Sequence, residues 1–118
     1  MAMKKLSIQL QPMFFAANLC DLAVKKLKTL ENNKKLVTSA KYDYGEEDGV
    51  RYINITFTSS DIMQLWKTIQ KQFLTETSAG IMFKSGSIIV CEGDFGWDDY
   101  LLLHHFDPLE KLDELPSP

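Results

Sequence analysis

The chain has 118 residues, 45% of them hydrophobic and 11% aromatic, with a formal net charge of −3 and two cysteines. That length suits one domain with a real core, and that composition excludes global disorder. Two cysteines exclude a disulfide framework, and the absence of a long apolar run excludes a membrane-spanning helix.

Residues 4–11 alternate, with Leu6, Ile8 and Leu10 on one side and Ser7, Gln9 and Gln11 on the other, which predicts a half-buried strand closed by Pro12. From Phe15 the period becomes helical: Phe15, Leu19, Leu22, Ala23, Leu27 and Leu30 form one stripe, lysines fill the last turns, and Asn32-Asn33 supply the stop. Residues 36–44 alternate again and predict a strand. Residues 45–49, bracketed by Gly45 and Gly49, predict a hairpin loop into a strand over 50–58 with Ile53, Ile55 and Phe57 on one face. Ser59, Ser60 and Asp61 are N-cap candidates for a second helix carrying Ile62, Leu65, Trp66, Ile69 and Phe73.

Residues 80–84 and 87–92, separated by Ser85-Gly86, read as a second hairpin with apolar side chains on both faces, so both faces need cover. The unassigned apolar material is residues 95–106, expected to fold over this hairpin or to extend the sheet beside it. Trp97, Tyr100, Leu101 and His104 fit helical spacing, residues 100–106 fit a buried strand equally, and the turn signals Gly93, Gly96 and Asp98-Asp99 favour the strand. Asp107-Pro108 ends it, and residues 109–115 are expected to make one or two helical turns. Residues 1–118 thus read as one α+β domain with residues 108–118 as a peripheral tail. The expected architecture is a two-layer sandwich, with two helices on one face of a mainly antiparallel sheet. Its first six elements follow the βαββαβ order of ferredoxin-like folds, which makes the first strand central.

Charge is unevenly distributed. Residues 1–35 hold seven lysines against Asp21 and Glu31, whereas residues 92–118 hold eight carboxylates against Lys111, a net charge of −7. The lysine cluster lacks arginine, the better reader of phosphates and bases, so nucleic acid is not an expected partner. The apolar residues after Met3-Lys4-Lys5 are interrupted by Ser7, Gln9, Gln11 and Pro12 before they reach signal-core length. The expected location is the cytoplasm, without membrane association.

His104-His105 beside Asp98, Asp99 and Cys91 invites a metal reading, but adjacent residues diverge on a strand or helix, so no metal site is expected. Carboxylates near Cys91 would raise its thiol pKa, which argues for a buried structural cysteine. Gly93 and Gly96 are flanked by acids, the wrong sign for a phosphate loop. Neither a catalytic residue nor a cofactor is expected. What remains is aromatic side chains ringed by carboxylates, which suits recognition of a basic protein: charge steers and rings bind. Glu92, Asp94, Phe95, Trp97, Asp98 and Asp99 are the candidate partner-binding residues of a small protein-binding module, monomeric or homodimeric. An inhibitor or immunity-type protein is its concrete form. Three other readings stand beside it: a packed tail with a solvated acidic rim, a small enzyme or ligand-binding domain with a pocket near Cys91, Tyr100 and His104, and self-association through an exposed sheet edge or the polar sheet face bearing Gln9, Tyr52, Asn54 and Thr56.

Overall fold

Leu6, Ile8 and Leu10 are fully buried in the computed structural model, which describes residues 3–16 and 18–115. Their strand, β1 (Lys4–Leu10), lies at the centre of one five-stranded sheet. The other strands are β2 (Ser39–Glu47), β3 (Val50–Ser59), β4 (Ser87–Gly93) and β5 (Gly96–His104), in the order β2-β3-β1-β4-β5 with every neighbouring pair antiparallel. The buried row Phe57, Leu6 and Cys91 runs across β3, β1 and β4, and the row Ile55, Ile8 and Ile89 runs beside it. This is the face that three helices cover: α1 (Leu19–Lys28), α2 (Ile62–Phe73) and α3 (Ser78–Ser85). The fold is therefore α+β in two layers.

The second helix buries the stripe its spacing dictates, whereas the first is rotated from the expected stripe, leaving Leu19 and Leu22 exposed and Ala23 half-buried. Cys20, Val24 and Leu27 face inward from α1, and Leu65, Trp66, Ile69 and Phe73 from α2. Asp61 caps α2 by accepting from the Gln64 N–H at 3.2 Å. The first helix is shorter than its pattern predicts, because a 3-10 turn over Thr29–Asn32 takes its last apolar residue, Leu30, into the core. Phe15 is buried ahead of the helix rather than on it.

Three assignments between residues 36 and 84 differ from expectation. The strand expected over 36–44 begins at Ser39, because the Asn33 carbonyl accepts from Leu36 and Val37 and its side chain accepts from Lys35, making a turn that buries Val37. The five-residue loop is a two-residue turn, Asp48-Gly49, with φ of 52° and 80°, the left-handed pair that matches strand twist. Gly45 stays within β2, where the Tyr52 ring occupies the place a Cβ would need. The largest correction concerns residues 80–84, which are helix α3 and not a strand. Thr77 caps α3 by accepting from the Gly80 N–H at 3.1 Å, and only Gly80 and Phe83 are buried in it. A short apolar run has no decisive period, so the cap decides. The sheet therefore carries three helices on one face, and β4 forms its hairpin with β5.

Residues 96–104 extend the sheet, the second of the two arrangements expected for this segment. Residues 109–115 form no helical turn. A turn closes from Asp107 to Glu110, and the chain then runs beside β5, where the Asp113 N–H donates to the Leu102 carbonyl at 2.7 Å. The end of the expected tail, residues 116–118, lies outside the described residues. Among the described residues no helix is long and apolar enough to cross a membrane.

Candidate functional site

The sheet face away from the helices is open, and pairing places its residues in rows. Lys41, Thr56, Ser7, Val90 and Leu102 are successive cross-strand partners from β2 to β5. Asp43, Asn54, Gln9 and Ile88 form the next row. Character changes along both rows, from charged at β2 through polar at β3 and β1 to apolar at β4 and β5. Ile88 and Val90 are half-buried without helix cover, which explains why β4 reads as apolar on both faces.

Trp97 stands where the two chemistries meet. It borders a shallow hollow of about 470 Å³ with Ile88, Val90, Tyr100, Leu102 and His105, and Glu110 completes the rim. It also borders a hollow of about 390 Å³ that contains Lys5, Lys41 and Asp43. Trp97 is 40% exposed, Tyr100 58% and Phe95 83%. Phe95 belongs to the β4–β5 turn, where Gly96 takes a left-handed φ of 77°.

The six candidate residues divide in two. Phe95, Trp97, Asp98 and Asp99 are exposed and available. Glu92 is half-buried and engaged with the backbone, its Oε1 accepting from the Lys5 N–H at 2.7 Å, and Asp94 forms a solvent-exposed ion pair with Lys4 at 3.8 Å. Two other carboxylates of the acidic segment also serve the backbone: Asp107 accepts from the Leu109 N–H and Asp113 from the Leu102 N–H. The acidic excess of this segment is thus partly structural. Asp98, Asp99 and Glu110 remain as exposed carboxylates near the aromatics. The sequence reading missed Lys5, Lys41, Ile88, Val90, Leu102 and His105 as members of this surface. The available signal was the apolar second face of residues 88–90, combined with the alternation of β1.

The pocket expected around Cys91, Tyr100 and His104 is not formed by these groups, because the sheet separates them. Cys91 is fully buried on the helix side, opposite Leu6. His104 reaches the same side, its Nε2 bonded to the Lys84 carbonyl at 3.0 Å, while Tyr100 borders the open-face hollow. Burial pushes the Cys91 thiol up to about 11, opposed by Lys4 and assisted by Glu92. Burial followed by the Asp21 charge raises the Cys20 thiol. Neither is an activated nucleophile. His105 accepts from the Asp107 N–H through Nδ1 and packs on Phe106 with ring centroids 4.5 Å apart. Among the described residues no group of three His, Cys, Asp or Glu side chains is arranged to hold a metal ion.

On the helix side, an apolar hollow of about 170 Å³ lies between α1, α2 and α3, lined by Phe15, Leu22, Phe73 and Phe83 among others. Lys26 crosses this region, donating to the Gln72 carbonyl at 2.9 Å with its ammonium 4.9 Å from the Phe73 ring centroid. No family model, curated protein or solved structure matches this chain.

Proposed function

We propose that the protein is a small, non-catalytic recognition module that engages a basic partner protein through the β4–β5 end of its open sheet face. The observation that carries this reading is the exposure of Trp97 between two hollows, on the strand that also presents Tyr100, Asp98 and Asp99. Aromatic side chains of this kind supply anchoring area at low entropic cost, and neighbouring carboxylates favour cationic partners and reject acidic ones. Shallow hollows suit protein surfaces better than small molecules, which need deep enclosure. An inhibitor or immunity-type protein that masks a cationic surface is the concrete form. We read the β2-β3-β1-β4 order as the split βαβ arrangement of ferredoxin-like folds with β5 added, and two buried free thiols accord with a cytoplasmic home.

The test is affinity capture from native extract at low and high salt, comparing wild type, Trp97→Ala, and Asp98→Asn with Asp99→Asn. The reading requires one basic partner that high salt weakens and that both variants lose. Capture that is indifferent to both variants, or no capture at all, removes it.

A further inference from the structure

The two edges of the sheet are finished differently. The outer edge of β5 is engaged at Leu102, which exchanges two hydrogen bonds with Asp113. The outer edge of β2 runs for nine residues at the other side of the sheet, beyond β3. Its pairing with β3 closes at Glu47 and Val50 around a two-residue turn, and the pair flanking such a turn exchanges hydrogen bonds. Alternation then assigns the backbone groups of Asp43 and Lys41 to β3, and turns those of Ala40, Tyr42 and Tyr44 toward the outer edge.

We propose that β2 pairs with β2 of a second copy of this chain, antiparallel and centred on Tyr42, joining two five-stranded sheets into one. This register sets Ala40 opposite Tyr44 of the other copy at positions whose outward-turned backbone groups can bond. Lys41 falls opposite Asp43, twice over, at the non-hydrogen-bonded positions where facing side chains are closest. Lys41 and Asp43 share the open face, as their partners Thr56 and Asn54 show. Centring the pair on Lys41 or on Asp43 would instead oppose like charges. The flanks agree: Lys34-Lys35 lie ahead of β2, Glu46-Glu47 end it and Asp48 follows in the turn, so antiparallel pairing carries each acidic end toward a basic one.

Charged side chains on an edge ordinarily deter strand addition. Here one strand carries both signs in an order that deters unrelated strands and complements a reversed copy of itself. Within one copy, Lys41 and Asp43 reach each other only as a solvent-exposed pair at 3.9 Å, which contributes little and is readily exchanged. Tyr44, 68% exposed, gains cover opposite Ala40.

Sedimentation across a concentration series tests this, with amide exchange of wild type read at low and high concentration. The expected result is a reversible dimer in which the Tyr42 and Tyr44 amides exchange more slowly as concentration rises. Lys41→Asp and Asp43→Lys, each alone, raise the dissociation constant about tenfold or more, because attraction becomes repulsion at both pairs. An equal mixture of the two variants recovers association as a heterodimer, since each then meets the opposite charge. If a variant fails to fold, the wild-type exchange data decide alone. A chain that stays monomeric, a dimer with unprotected Tyr42 and Tyr44 amides, or a dimer lost in Trp97→Ala but spared by both charge changes overturns the proposal.

Discussion

Leu102 and Asp113 hold each other by two hydrogen bonds. The Leu102 N–H donates to Asp113 Oδ2 at 2.9 Å, and the Asp113 N–H donates to the Leu102 carbonyl at 2.7 Å. A residue eleven positions downstream thereby occupies the edge that β5 would otherwise offer to another strand.

Replacing Asp113 with Ala removes a charge-assisted acceptor and leaves the Leu102 N–H to water. The expected cost is about 0.5–1.5 kcal/mol, the net worth of one such bond at an accessible site. The diagnostic readout is local: the Leu102 amide exchanges faster while the Ile8 and Ile55 amides keep their protection. If Leu102 exchange is unchanged, this contact does not hold the tail on the edge.

Leu103 and Leu102 are adjacent in β5 but face opposite sides of the sheet. Leu103 is 4% exposed and belongs to the core, whereas Leu102 is half-buried beside Val90 on the open face. Leu103→Ala is expected to cost about 2–4 kcal/mol, as buried truncations do. Leu102→Ala is expected to cost about 1 kcal/mol, since part of its surface already meets water. Asp98→Asn and Asp99→Asn should each stay within about 0.5 kcal/mol, as surface changes do. Denaturant melts measure all four, and equal losses at the two leucines would contradict the assignment of their faces.

Strands that alternate and helices that repeat were legible because one buried face imposes one period. Leu6, Ile8 and Leu10 on β1, and Leu65, Trp66, Ile69 and Phe73 on α2, declare their inward faces directly. Ile81, Met82 and Phe83 did not, since three consecutive apolar residues satisfy both periods, and the deciding contact is a single hydroxyl on Thr77. At the candidate surface, the aromatics of β5 were visible as residue types. Their neighbours were not: Lys5, Lys41 and Val90 approach Trp97 only through cross-strand register, which no local pattern encodes. The internal use of Glu92, Asp107 and Asp113 was equally hidden, because a carboxylate bonded to a backbone amide reads like a solvated one.

Cys91 is fully buried with its thiol pushed up to about 11, and Cys20 is 5% exposed with its thiol also raised. Thiol-reactive reagents at neutral pH should therefore modify neither in the folded state, and both at the rate of unfolding. Labelling kinetics followed with increasing denaturant check this. Rapid stoichiometric labelling of native protein would place one thiol at the surface.

His104 gives the fold a pH dependence of definite sign. Burial holds its imidazole below the ordinary value of 6.5, assisted by the neighbouring His105 and Lys84 charges and opposed by the hydrogen bond to the Lys84 carbonyl. In the window between the lowered folded value and 6.5, the unfolded chain binds the proton and the folded chain does not. Stability therefore rises with pH across that window and levels above it, and acidification through it favours unfolding. The accompanying bond to Lys84 ties β5 to the C-terminal turn of α3, so the loss is felt across both layers. His104→Gln, which retains a donor for the carbonyl but does not titrate, should flatten the profile between mildly acidic and neutral pH. Melting temperatures of the two proteins across that range provide the comparison. Parallel profiles would show that His104 is not the titrating group, and a wild-type profile that falls toward neutral pH would reverse the sign argued here.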